Sequence, residues 1–159
     1  MTLKEGDTLP DVEVYDGDVT KKVNVRELFK GKKGILFALP GAFTPGCSAK
    51  HLPSYVKKFD ELKAKGVEVI ACLSVNDPFV MKAWGKEHQV GDKIHMLADA
   101  DSSFTKAVGL ELPANPVLGN PRSKRYSAIV EDGVVKKLSV EPDGTGTTCS
   151  IADAIIEFL

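Results

Sequence analysis

The sequence predicts an α/β protein, a three-layer sandwich around a mixed central sheet, and three observations lead there. Residues 34–39 (GILFAL) and 67–75 (VEVIACLSV) are short, largely apolar runs of the kind that form strands buried on both faces. The first run is followed by a helical pattern, Leu52, Tyr55, Val56, Phe59 and Leu62, and the second by a helix-start signal, Asn76-Asp77-Pro78. Late in the chain, Asp132-Gly133 separates two strand patterns, residues 126–131 and 134–140, as a two-residue hairpin turn does. Strands alternating with helices imply parallel pairing, and the late hairpin adds antiparallel strands, so a mixed sheet is expected.

The elements follow in order. Residues 12–15 alternate, Asp16-Gly17-Asp18 is turn-like, and residues 19–23 complete an N-terminal hairpin. Residues 25–29 read as a short helix stopped by Gly31. The strand at 34–39 ends at Pro40-Gly41, and the next helix starts near 44–47 and closes at Gly66. The strand at 67–75 leads into a helix running from Pro78 to about His88. Residues 94–97 read as a third strand, 102–108 as a short helix, and 149–159 as a final helix. Residues 111–124 hold four prolines or glycines and read as an extended loop. The thioredoxin-like fold meets this description, although doubly wound folds begin the same way. No repeat, low-complexity tract or linker interrupts the 159 residues, so one domain, 1–159, is expected.

Composition narrows the function. Apolar residues make up 43% and charged residues 27%, the balance of a soluble globular chain, and a formal net charge of −1 argues against nucleic acid or a membrane surface as partner. The lysines are scattered and read as solvated faces. No apolar run approaches the ~20 residues that a bilayer-spanning helix needs. The first residues, MTLKEGDTLP, lack the apolar stretch of a secretory signal, so a cytoplasmic or mitochondrial location is expected rather than secretion. Three cysteines, with no Cys-x-x-Cys, suit neither a secreted disulfide framework nor a zinc site. His51, His88 and His95 lack metal-ligand spacing and are expected in surface or hydrogen-bonding roles.

Chemistry concentrates in residues 39–53, LPGAFTPGCSAKHLP. A buried strand ends there, a tight loop follows, and Cys47 begins a helix. In open α/β sheets, ligands collect at the carboxyl ends of strands. A cysteine in the first helical turn meets unpaired backbone N–H groups and the positive end of the helix dipole, which favour thiolate over thiol. Read without its neighbours, Cys47 also suits a small buried apolar role, Thr44 an ordinary helix cap, and Arg125 a surface charge.

The residues 40–47, Pro-Gly-Ala-Phe-Thr-Pro-Gly-Cys, resemble the peroxiredoxin active-site signature, Pro-x-x-x-Thr-x-x-Cys. With Ser48 and His51-Leu52-Pro53 they are similar to the type II branch of that family and its peroxiredoxin-five group. Further ordered matches lie at 28–48, 63–80, 124–127 and 140–150. The resemblance implies a thiol peroxidase that reduces hydrogen peroxide and organic hydroperoxides. It makes Cys47 the peroxidatic cysteine and Thr44 the hydroxyl that bonds thiolate and peroxide. Pro40 becomes the shield of the pocket, and Arg125 the cation that holds the thiolate and orients the peroxide. The N–H groups of Gly46 and Cys47 would face the peroxide oxygens. That assignment agrees with physics, because negative charge spreads from sulfur over two oxygens during attack, and a guanidinium with fixed N–H donors stabilises the spread.

The same resemblance implies that Cys149 resolves the sulfenic acid through an intrachain disulfide. It also implies thioredoxin as reductant, with glutaredoxin or glutathione as alternatives, and a homodimer paired through faces near the active site. No cofactor is called for, since sulfur does the chemistry. Cys149 lies in the Gly- and Thr-rich DGTGTTCS, which suggests exposure and mobility. Cys72, inside an apolar strand, reads as an inert buried thiol, although some type II relatives use a cysteine near this position. Pro53 removes a helical N–H and would crowd the carbonyl of Ala49, weakening the first turn.

Two other readings compete. A thioredoxin- or glutaredoxin-type oxidoreductase would need a second cysteine where Lys50 stands. A redox sensor or binding module would consume no peroxide, and the intact set of Pro40, Thr44, Cys47 and Arg125 argues for turnover.

Overall fold

The structure, a computed structural model, describes residues 2–159. Strands β1 (Glu13–Asp16) and β2 (Lys22–Asn24) form the N-terminal hairpin. Strands β3 (Lys33–Leu39), β4 (Val69–Ser74) and β5 (His95–Ala98) carry the α/β alternation. A separate ribbon pairs β6 (Glu111–Leu112) with β7 (Arg122–Ser123), and the closing hairpin is β8 (Tyr126–Glu131) with β9 (Val134–Val140). The main sheet has seven strands in the order β2-β1-β5-β4-β3-β8-β9. Pairing is parallel across β5, β4 and β3 and antiparallel elsewhere, so the sheet is mixed as expected. At the closing turn, Asp132 and Gly133 both have positive φ, 50° and 76°, which is what a right-handed twist asks of a two-residue hairpin.

The helices are α1 (Val25–Leu28), α2 (Leu52–Lys57), α3 (Phe59–Ala64), α4 (Pro78–Glu87), α5 (Ser103–Val108), α6 (Asn115–Leu118) and α7 (Ala152–Ile155). They cover both faces of the sheet. The period-two alternation of β3 splits its side chains between two cores. Ile35, Phe37 and Leu39 pack with Leu52, Tyr55, Leu62, Trp84 and Ile155 on one side. Leu36 and Ala38 pack with Val25, Phe29, Leu97, Phe104 and Val108 on the other. These are the three layers of a thioredoxin-like sandwich, with β3 in the middle because it is apolar on both faces.

Three expectations need correction. The helix expected from 44–47 to Gly66 is broken into a π-helical turn, Cys47–His51, followed by α2 and α3. In that turn the N–H of Leu52 bonds the Cys47 carbonyl, five residues back, immediately ahead of Pro53, which has no N–H to give. The final helix starts at Ala152 rather than Cys149. Its expected first turn does not form, because the N–H groups of Thr148 and Ser150 bond the Glu141 carboxylate instead. The loop expected at 111–124 contains β6, α6 and β7. Elsewhere the boundaries fall within three residues of expectation, the largest shift being the start of β2, and Asp77 caps α4 by accepting from the Val80 N–H at 2.8 Å.

Candidate active site

The site is assembled where β3 ends. Leu39, its last residue, is fully buried, and the chain leaves the sheet through Pro40 and Gly41. Ala42 N–H bonds the Asn76 side chain at 2.9 Å, which ties this loop to the one that follows β4. Phe43 takes a left-handed φ of 60° and is exposed. Thr44 accepts the Ser48 N–H on its carbonyl at 2.9 Å and so sits at the helix start. Its hydroxyl does not cap the helix. It donates to the Gly41 carbonyl at 2.7 Å, which leaves the oxygen free to accept from a bound O–H group. Pro45 begins the turn, and helix geometry leaves the N–H groups of Gly46 and Cys47 without an intrahelical acceptor.

Cys47 is fully buried and carries a free thiol. Two arginines frame its loop. A Cβ on Gly46 would lie 3.0 Å from Nη2 of Arg125, and a Cβ on Gly41 would lie 2.9 Å from Nη1 of Arg122. Both glycines are therefore close-approach positions, where an added side chain would press a guanidinium out of its place. Arg122 donates to the Pro40 carbonyl at 3.3 Å, to the Leu118 carbonyl at 3.4 Å and to Asn120 Oδ1 at 2.9 Å. Burial lowers its proton affinity, and the nearby Cys47 sulfur opposes that change.

Arg125 is 3% exposed. Its Nη1 donates to Nδ1 of His51 at 3.1 Å and its Nε to the Thr145 carbonyl at 3.2 Å. Among the described residues it forms no ion pair. A buried cation without a counter-charge is costly, so an anion beside it is strongly favoured.

His51 has a fixed tautomer. Because Nδ1 accepts from Arg125, the ring proton is on Nε2, which donates to the Ser150 carbonyl at 3.2 Å. Burial, reinforced by the Arg125 charge, pushes its pKa down to about 3. The imidazole is thus a permanently neutral acceptor for the guanidinium. Unfolding exposes a histidine with the ordinary value of 6.5, which takes up a proton that the folded chain refuses until about 3. Its contribution to stability is complete above 6.5 and is lost as pH falls from there towards 3. Between pH 6.5 and 4.5, above the carboxylate range, unfolding free energy should fall by up to about 1.4 kcal/mol per pH unit on this account. Denaturant titrations of the native chain and His51→Asn should show that slope in the first and not in the second.

A polar network continues beneath the site. The Ser150 carbonyl also accepts the Tyr55 hydroxyl at 2.7 Å and the Ser127 hydroxyl. Tyr55 lies flat on Phe37 with ring centroids 4.0 Å apart, and burial pushes its phenol well above the ordinary range. Trp84 donates its indole N–H to Ser48 Oγ at 3.0 Å, beside Cys47. Cys72 is fully buried on β4, and burial pushes its thiol up. The same thiol lies within electrostatic reach of both Cys47 and Arg125. Cys149 is partly exposed but held, since Thr148 and Ser150 on either side are bonded to Glu141. That replaces the expected free mobility with a tether.

The structure therefore gathers Pro40, Thr44, Gly46, Cys47 and Arg125 in one place and puts Cys149 on a segment that shares hydrogen bonds with Arg125 and His51. His51 is buried at the centre of the site, in the second of the two roles expected for it, hydrogen bonding rather than surface. Sequence reasoning did not place it in the site, and missed Arg122, Tyr55, Ser127 and Glu141. The signal for His51 was its spacing of four from Cys47, which puts both on the inner face of one turn.

Comparisons with known proteins give the family. Residues 4–156 match the redoxin family model. The chain is 47% identical over 161 residues to Peroxiredoxin-2E, chloroplastic, of Arabidopsis thaliana, covering 97% of this chain and 68% of that protein. It is 43% identical over 157 residues to Peroxiredoxin-2B of the same plant, covering 97% and 96%. Among solved structures, reduced Prx3 of Vibrio vulnificus in complex with hydrogen peroxide superposes with a TM-score of 0.91 at 48% identity, covering 99% of this chain and all of that one. Peroxiredoxin 5 of Alvinella pompejana superposes with a TM-score of 0.83 at 46% identity, covering 90% and 92%. A buried, helix-start thiol beside an unpaired guanidinium on a thioredoxin-like sheet defines a thiol-based oxidoreductase. The chain belongs to the redoxin family and, within it, to the peroxiredoxins, the thiol peroxidases. No helix among the described residues is long and apolar enough to cross a membrane.

Proposed function

We propose that Cys47 is the peroxidatic cysteine and that Cys149 resolves it within the same chain. The observation that carries the first assignment is the buried Arg125 guanidinium, held by His51 and Thr145 and lacking a carboxylate partner, set against the Gly46-Cys47 backbone. In the first step the Cys47 thiolate attacks the terminal oxygen of a hydroperoxide in line. The S–O bond forms and the O–O bond breaks. The transferred oxygen keeps its proton as Cys47–SOH, and the other leaves as hydroxide or alkoxide. Arg125 and the N–H groups of Gly46 and Cys47 stabilise the charge on the two oxygens. Thr44 accepts the hydrogen bond of the peroxide O–H, since its own proton is committed to Gly41. Pro40 shields the pocket, and Arg122 fastens it through the Pro40 carbonyl.

In the second step the Cys149 thiol displaces water from the sulfenic acid and the disulfide forms. A dithiol reductant of the thioredoxin class restores both thiols, with glutaredoxin or glutathione as the alternative. Hydrogen peroxide and small organic hydroperoxides are the substrates, and residues 1–159 act as one domain. The homodimer is supported by three exposed apolar side chains, Phe43, Phe79 and Val117, on elements that Asn76 and Arg122 tie to the pocket loop. Three free thiols suit a reducing compartment, cytoplasmic or mitochondrial, while relatives named chloroplastic add the plastid to that range.

Mass spectrometry of peptides after one equivalent of peroxide, without reductant, tests the scheme. A Cys47–Cys149 link within one chain is the expected product. A Cys47–Cys72 link would replace the resolving cysteine, and an interchain bond would overturn the intrachain mechanism.

A further inference from the structure

We propose that Glu141 is a positioning residue that controls when Cys149 reaches Cys47, and thereby divides the Cys47 sulfenic acid between disulfide and sulfinic acid. The proposal rests on the reading of Cys149 as the resolving cysteine.

Glu141 lies just past β9 and is 1% exposed. Among the described residues its carboxylate forms no ion pair. Instead it accepts four hydrogen bonds, all from the two residues that flank Cys149. Oε2 takes the Thr148 N–H at 2.9 Å, the Ser150 N–H at 2.9 Å and the Ser150 hydroxyl at 2.6 Å, and Oε1 takes the Thr148 hydroxyl at 2.6 Å. Burial alone would raise this carboxyl, but the hydroxyls of Ser150 and Thr148 and the two N–H groups outweigh it and bring it down to about 2. The clasp is therefore charged at every physiological pH.

Cys47 is fully buried, whereas Cys149 sits partly exposed between two clasped residues. Moving the Cys149 backbone requires bonds from Thr148 and Ser150 to Glu141 to break. Burial, and then the Glu141 charge, also raise the Cys149 thiol, which keeps it in the less nucleophilic form while the clasp is closed. The clasped segment serves Arg125 as well, through the Thr145 carbonyl that receives Nε and the Ser150 carbonyl that receives His51. Tyr55 and Ser127 also hold the Ser150 carbonyl, and Glu141 does not touch the Thr145 carbonyl, so opening the clasp releases Cys149 while the guanidinium stays held. While the clasp stays closed, a second peroxide can meet the sulfenic acid. That reaction transfers one more oxygen to sulfur, giving the sulfinic acid and water from hydrogen peroxide. The competing reaction joins Cys149–SH to Cys47–SOH and also releases water.

Glu141→Gln keeps the shape, removes the charge and places an amide N–H₂ against donors. In a single turnover with one equivalent of hydrogen peroxide, followed by Trp84 fluorescence and by weighing quenched peptides, the first step should stay within about twofold of native, since the peroxide-facing donors are untouched. Formation of the Cys47–Cys149 disulfide should become roughly tenfold faster, the scale of one charge-assisted hydrogen bond. The peroxide concentration that converts half of Cys47 to sulfinic acid should rise by about the same factor. In a Cys149→Ser background, Glu141→Gln should leave the sulfinic yield unchanged. A Thr148→Ala, Ser150→Ala double variant removes two donors while keeping both backbone N–H groups, and should move the second step in the same direction if Glu141→Gln does not fold. Disulfide formation at or below the native rate overturns the clasp, as does a first step that changes in proportion to the second. If the native chain itself forms no Cys47–Cys149 link, the reading of Cys149 fails instead, and the two failures are separable.

Discussion

Replacing Cys47 with serine should end catalytic peroxide consumption, a loss of about a thousandfold or more, the scale of removing a nucleophile. A serine hydroxyl does not ionise at neutral pH, and oxygen makes no sulfenic acid, so neither Arg125 nor the backbone donors have a reacting anion to stabilise. The measurement is steady-state peroxide loss with a thioredoxin recycling system, with Cys72→Ser and Cys149→Ser alongside. Retained turnover in Cys47→Ser would move the chemistry to another thiol. Cys149→Ser should still reduce one equivalent of peroxide, because the first step does not use it.

Arg125 is the second large effect. Arg125→Met should slow the first step by about 10²–10³-fold, comparable with losing an oxyanion-stabilising donor. Arg125→Lys should recover little of this. One ammonium cannot bond Nδ1 of His51, the Thr145 carbonyl and the reacting centre together in the way that a planar fork does. Stopped-flow oxidation of Cys47 at several peroxide concentrations reads the effect directly. A lysine variant at near-native rate would show that only a point charge is needed.

The strands and the thiol were legible from the sequence because their signals are local. The hairpin from Tyr126 to Val140 is announced by Asp132-Gly133, whose left-handed conformations few other pairs accept. The strands at 34–39 and 67–75 are announced by burial on two faces. The polar half of the site was not legible. His51 is defined by Arg125, 74 residues away, and by Ser150, 99 away, and a histidine on the inner face of a helix carries no mark of either. Glu141 beside Pro142 and Asp143 reads as part of a solvated turn, yet it is buried because four donors come to it. The helix after Cys47 has an unbroken apolar period, and its change of pitch comes from Pro53 and from packing that a periodicity count does not register.

That change of pitch makes the active site a matter of phase. The wide turn at Cys47–His51 closes its hydrogen bond over one residue more than an α-turn does, and the sulfur is at its start while α2 is anchored downstream by Leu52 and Tyr55. Were the same five residues wound as an ordinary helix, everything before them would rotate by roughly 100° around the axis. The sulfur would then point away from the guanidinium with the sheet, the loop and every named side chain still in place. One residue of slack in a helix, rather than any additional chemical group, keeps nucleophile and cation on the same bearing.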